Sequence, residues 1–174
     1  MKDKNLSLTE MRKYMKAEKE IQRILQTYGN WLYRSAFCLL GNADDVQDVL
    51  QETLIRYMEK SPDFRDGEHE KAWLMRITIN LCKDFLRFRK HHTYVNLSEL
   101  TDLCALPEQQ EILRELLTLP VKYKSVLLLH CVEGYSLKET AAILHITENA
   151  AKKRLQRGKE ALRQKLKDNT EVTI

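Results

Sequence analysis

Apolar residues recur along this chain at intervals of three and four, and no stretch sustains the alternation of a half-buried strand. The pattern predicts an all-α fold. A first helix is expected from about Glu18 to Leu40, ended by Gly41-Asn42, where glycine can take the left-handed backbone that closes a helix. A second starts near Ala43. It sets Val46, Val49, Leu50, Thr53, Leu54, Tyr57 and Met58 on one face and Asp45, Asp48, Glu52 and Glu59 on another, so one side packs and the other is acidic. It ends before Ser61-Pro62, and the loop SPDFRDGEHE leads into a third helix from Lys71 to Lys90. Trp73, Leu74, Ile77, Leu81 and Phe85 are its core set. Trp73 is in phase with Leu74, Ile77 and Leu81, packing is the expected use of Phe85 and Phe88, and Phe64 is open to packing or to stacking on a partner's ring.

From His91 to about Pro107 the periodicity fails, which reads as a linker. Helical spacing resumes from Glu108 to Leu119, Pro120 fits the first turn of the next helix, and VKYKSVLLLHCVEG stops at Gly134. Ser136-Leu-Lys-Glu139 has the spacing of a capping box, in which serine and glutamate satisfy each other's exposed backbone N–H groups. The helix it opens meets the short turn His145-Ile146-Thr147, where Thr147 can cap a second helix and Ile146 is expected to be buried. With small Ala141 and Ala142 near the crossing, this is the helix-turn-helix pattern. The chain thus divides into a polar tail over 1–17, a helical unit over 18–90, a linker over 91–107, a second unit over 108–168 and a short tail over 169–174.

Composition narrows the function. The formal net charge is only +4, but eight Lys/Arg stand against two Glu between Thr147 and Lys167, so positive charge concentrates on the last helix. The second helix of a helix-turn-helix enters the major groove with its first turns. Here those turns carry Asn149, Lys152, Lys153, Arg154, Gln156 and Arg157, while Ala151, Leu155, Ala161 and Leu162 can face inward. Arg157 suits guanine, Gln156 adenine, and the lysines phosphate or guanine. Cys38, Cys82, Cys104 and Cys131 are widely spaced and read as buried, reduced thiols, and neither they nor the five histidines have metal-site spacing. No cofactor is implied. No apolar run is long enough to span a bilayer and the start lacks a signal-peptide pattern, so a cytoplasmic protein without membrane insertion is expected. No Gly-rich nucleotide loop and no set of nucleophile, base and orienting group stands out, so no enzyme is expected.

The segments, in this order and spacing, resemble the extracytoplasmic-function (ECF) sigma factors of bacterial RNA polymerase, over about Ile21 to Leu166. NADDVQDVLQETLIRYME resembles region 2.2, with its Asp-x-x-Gln-Glu signature as Asp48, Gln51 and Glu52. The resemblance implies that this helix, with Asp45, docks on the clamp helices of the polymerase β′ subunit, and an acidic stripe suits basic partner residues. FRDGEHEKAWLMRITINLCKDFLRFRK resembles regions 2.3 and 2.4, with Trp73, Leu74, Arg76, Ile77 and Asn80 in pattern. By the same resemblance the loop around Phe64, Arg65 and Asp66 holds a base flipped from the minus-ten element, and Arg76, Asn80, Lys83, Asp84 and Arg87 lie on or near the DNA side. The stretch from Leu119 to Leu166 resembles region 4, which binds the β flap and reads the minus-thirty-five element, with the departure that NAAKKR stands where many relatives have GTVKSR. The partners implied are core RNA polymerase, promoter DNA and an anti-sigma factor covering the polymerase-binding surfaces.

Two other functions share parts of the pattern. A dimeric helix-turn-helix repressor or activator would leave the acidic helix and WLMRITIN unexplained, and a helical protein-binding adaptor would leave the basic helix idle.

Overall fold

The computed structural model of the protein describes residues 8–88 and 106–171, with side chains from Met15 to Phe88 and from Leu106 to Asp168; the expected linker lies almost wholly outside them. Every regular element among the described residues is helical. Helix α1 (Leu8–Ile24) passes through a π-helical turn, Leu25–Gly29, into α2 (Asn30–Leu40). Helix thus begins well ahead of the expected Glu18, because MRKYMKAEKE is built of strong helix formers without Gly or Pro. Gly41 ends α2 at φ 72°, its N–H bonded to Phe37 O.

Asn42 caps α3 (Ala43–Lys60), its Oδ1 accepting the Asp45 N–H at 3.0 Å. α4 (Gly67–Phe88) starts ahead of the expected Lys71 because Asp66 Oδ1 accepts the His69 N–H at 2.7 Å. After the second unit opens come α5 (Pro107–Thr118), α6 (Val121–Leu127) with a π-helical turn at Leu128–Val132, α7 (Leu137–Leu144) and α8 (Glu148–Glu171).

Ile24, Leu32, Tyr57, Trp73 and Leu74 form one apolar cluster inside α1–α4. A larger one runs from Phe37, Val46, Met75 and Ile79 through Leu113, Leu117 and Leu128 to Leu155. That core crosses from the first helical unit to the second: α2 packs on α5 and α6, and α4 packs on α7. Each fully buried Leu or Phe contributes roughly 1.5–3 kcal/mol, so the two units are seated on each other by a substantial apolar interface. α8 crosses α6 at Gly158, where an added Cβ would lie 3.2 Å from Leu127 Cδ1, so the missing side chain permits the close approach.

Several expected placements differ. Met58 is 39% exposed and Phe88 is 84% exposed, since each falls at the edge of its helix's packed stripe. Cys82 is buried, and burial pushes its thiol up to about 12, but Cys38 is half-buried and Cys131 is exposed. Ile146 is half-buried, and of the two alanines near the helix-turn-helix crossing only Ala141 is buried.

A polar network joins α1, α3 and α4 beneath the first bundle. Glu70, almost fully buried, accepts from Arg23 at 2.5 and 3.1 Å, from the Tyr57 hydroxyl at 2.6 Å and from the Tyr28 hydroxyl at 3.0 Å. Burial alone would raise the Glu70 pKa, but bonds from Arg23, Tyr57 and Tyr28 outweigh it and hold the carboxyl below its ordinary value.

Candidate nucleic-acid and partner interfaces

The helix-turn-helix forms as its local sequence dictates. Ser136 Oγ accepts the Glu139 N–H at 3.2 Å and Glu139 Oε2 accepts the Ser136 N–H at 2.8 Å, completing the capping box. The Ser136 hydroxyl also donates to Glu139 Oε2 at 2.6 Å, and this bond, with the one from the Ser136 N–H, holds the Glu139 carboxyl below its ordinary value. His145 closes α7 in the left-handed region at φ 51°, unusual for a residue with a side chain, and turns the chain toward α8. Thr147 Oγ1 then accepts the Ala150 N–H at 3.2 Å. Ala151 and Leu155 enter the core, with Ala161 and Leu162 half-buried behind them. The opposite face presents Asn149, Lys152, Lys153, Gln156 and Arg157 to solvent. Arg154, expected with them, is half-buried and turned toward α4.

On α3, Asp48 and Gln51 are exposed, and Glu52 is half-exposed in an ion pair with Arg56 at 2.9 Å. Asp45, expected in the same docking stripe, is only 7% exposed. It falls on the packed side with Val46, Val49 and Thr53, one residue outside the true acidic stripe.

The expected minus-ten residues divide by environment. Arg65 is exposed. The Phe64 ring is stacked on Tyr57 at a centroid distance of 5.9 Å and meets the edges of Trp73 and His69, so its faces are used within the bundle. Asp66 caps α4, and Asp84 pairs with Arg87 at 3.5 Å. Asn80 is half-buried. Arg76 donates to His145 Nε2 at 2.9 Å, across the boundary between the units. Lys83 is half-buried, and burial together with the charge of Arg154 holds its ammonium below its ordinary pKa. Lys83 and Arg87 from α4 line one cleft of about 380 Å³ with Lys122 and Arg154 from the second unit.

Two residues the sequence did not single out lie between the units. Lys124 is 2% exposed, and its Nζ donates to Leu39 O at 2.5 Å and to Leu117 O at 3.2 Å. Those carbonyls belong to the last turns of α2 and α5, where the helix dipoles favour a cation. Burial nevertheless lowers the Lys124 pKa to about 8. Glu133 accepts from Trp31 Nε1 and, at 3.2 Å, from Ser35 Oγ. No local sequence signal marks either residue, because each works through a partner about one hundred positions away or in another helix.

Residues 24–92 match the family model of Sigma-70 region 2, and residues 109–162 match that of Sigma-70, region 4. The ECF RNA polymerase sigma factor SigW of Bacillus subtilis is 31% identical over 164 residues, covering 83% of this chain and 88% of that protein. The chain belongs to the ECF RNA polymerase sigma factors. SigX of Bacillus subtilis is 28% identical over 163 residues, covering 84% of this sigma factor and 83% of SigX. Among solved structures, CnrH in complex with the cytosolic domain of CnrY superposes with a TM-score of 0.63 at 25% identity, covering 87% of the sigma factor and 90% of that chain. The fold is shared with the sigma factor RpoE solved with the anti-sigma factor NepR from Bartonella quintana, at a TM-score of 0.66 and 23% identity over 86% of this chain and 98% of that one. This sigma factor directs promoter-specific transcription initiation and binds DNA through the region 4 helix-turn-helix. Sigma factors are regulatory rather than catalytic proteins. No helix among its described residues is long and apolar enough to cross a membrane.

Proposed function

We propose that the sigma factor grips core polymerase with α3, opens the minus-ten element with the loop before α4 and with α4 itself, and reads the minus-thirty-five element with the start of α8. The observation that carries this reading is the division of α8: Ala151 and Leu155 are buried, whereas Asn149, Lys152, Lys153, Gln156 and Arg157 are exposed on the other side. The basic residues are thereby free for a groove while the helix stays anchored. Arg154, held toward α4, joins them only when the two units separate.

Asp48, Gln51 and Glu52 form the polymerase contact, without Asp45. Arg65, Arg76, Asn80, Lys83 and Arg87 meet the minus-ten strand, with Asp66 fixing the start of α4 and Asp84 orienting Arg87. Phe64 supports the loop from within its aromatic cluster. Region 2 occupies 18–90, extended by the earlier start of α1, and region 4 occupies 108–168. The chain has no catalytic activity of its own and works in the cytoplasm, where core polymerase and promoter DNA are its partners and an anti-sigma factor covers its polymerase-binding surface.

Reversing Asp48 and Glu52 to lysine is expected to weaken binding to core polymerase by about tenfold or more, since like charges then face a basic partner. Both side chains are outside the core, so helix content by circular dichroism stays at the wild-type level. Wild-type affinity in a fluorescence titration with core polymerase would remove α3 from the docking surface.

A further inference from the structure

We infer that the cleft between α4 and the second helical unit is a binding site for a nucleoside polyphosphate. Its cations come from three helices: Lys83 and Arg87 from α4, Lys122 from α6 and Arg154 from α8. No carboxylate is among the side chains that line it. Asp84 pairs with Arg87, which is 75% exposed at the rim, but Lys83, Lys122 and Arg154 have no carboxylate partner among the described residues. On Lys83, burial and then the charge of Arg154 outweigh the attraction of Asp84, so positive charge in this cleft is left uncompensated. Lys122 lies over the Tyr123 ring at 5.0 Å, a contact that leaves its N–H donors free.

Like charges that converge without a counter-charge repel one another, and an anion seated among them turns that repulsion into attraction. A chain of phosphates suits the arrangement better than a single acid group. Cations spread around one cleft can each take a different oxygen, and the Arg154 guanidinium can offer two N–H groups to one phosphate. The remaining lining is of another kind: Val121, Leu144 and Ile146 form an aliphatic wall on which a sugar and base can lie. The cleft holds about 380 Å³, within the roughly 300–1,000 Å³ of small-ligand sites. A ligand seated here spans the two units and occupies Lys83 and Arg154, so both are withheld from DNA phosphates while it is bound. The site stands on the cleft alone; its effect on DNA binding rests on the proposed roles of α4 and α8.

Calorimetric titration of the full chain with ATP, at about 0.05 M salt where screening is weak, should find one molecule bound per chain. AMP, with a single phosphate, and tripolyphosphate, without a nucleoside, should each bind about tenfold more weakly or worse. Lys122→Ala and Arg154→Ala should each weaken ATP binding by about tenfold. Lys152→Ala removes the same charge from the exposed face of α8, two residues from Arg154, and should change it by less than about twofold. Lys122 is exposed and outside the core, so its variant reads the site even where loss of Arg154 disturbs α8. Absence of saturable binding, or equal losses from Lys152→Ala and the two cleft variants, overturns the site. AMP binding as tightly as ATP overturns the polyphosphate, and tripolyphosphate doing so overturns the nucleoside. At matched ionic strength, ATP should also weaken wild-type binding to a fluorescein-labelled random single-stranded oligonucleotide several-fold, with much less effect on the Lys122→Ala protein. ATP binding that both cleft variants weaken, together with oligonucleotide affinity that ATP leaves unchanged, would remove Lys83 and Arg154 from the DNA surfaces and leave the site in place.

Discussion

Replacing Lys152, Lys153 and Arg157 together with alanine is expected to reduce affinity for a promoter duplex by about a hundredfold at low salt and to flatten the dependence of that affinity on salt. Each Lys or Arg that neutralises a phosphate releases condensed counterions and contributes about 0.9 to the slope of log affinity against log salt concentration. Loss of two phosphate contacts thus lowers the slope by about 2, while loss of one base contact does so only weakly. Arg157→Ala alone distinguishes the two roles: a guanine contact predicts a loss of about 1–3 kcal/mol of discrimination confined to one base pair. The helix itself should persist, because alanine is the strongest helix former and the anchoring Ala151 and Leu155 are untouched. Fluorescence anisotropy with a promoter duplex and its single-base variants, over a range of salt, reads all three quantities. An unchanged slope in the triple variant would place DNA on another surface.

That prediction could be framed before any coordinates, and the reason is local. The capping box at Ser136 and Glu139, the Thr147 cap and the inward Ala151 and Leu155 are all written within a few residues of where they act. So is the division of α3 into packed and acidic sides. Helical spacing places residues to within about one position, however, and Asp45 lies one position beyond the exposed stripe, at the first turn where α3 meets the bundle. Phe64 was ambiguous because its fate depends on Tyr57 and Trp73, in two other helices. The contact between the units was illegible for the same reason: α2 shows an apolar surface in the sequence, but nothing in its periodicity says that α5 and α6 will cover it. A buried lysine is the extreme case. Lys124 sits in VKYKSVL like any solvated cation, and only the meeting of two helix C-termini gives its ammonium acceptors.

Glu70→Ala is expected to destabilise the protein by about 3 kcal/mol, the largest loss of stability from any single polar residue in region 2. Its carboxylate holds Arg23 on α1 and Tyr57 on α3 from a position on α4, so one truncation takes α4 out of the polar link among three helices and leaves the buried Tyr57 hydroxyl with only its α1 partners, donating to Glu20 at 3.1 Å and accepting from Arg23 at 3.1 Å. Arg23 is 43% exposed and can rehydrate, which keeps the loss below that of a wholly buried broken pair. The pH dependence has a defined sign. Because the folded-state pKa lies below the ordinary carboxylate value of 4.5, the stabilisation is present above about that pH and disappears as pH falls through the folded value. Glu70→Gln keeps the shape without the charge, so it should be less stable than wild type at neutral pH and converge with it in acid. Urea denaturation of both proteins at neutral and acidic pH measures the difference, and a gap that stays constant would show that the carboxylate charge is not the stabilising feature. Transcription separates this residue from the docking set. Glu70→Ala protein should lose activity with rising temperature as region 2 melts and recover it in the cold, whereas an Asp48 and Glu52 reversal should be equally defective at every temperature, since it alters a surface and leaves the scaffold intact.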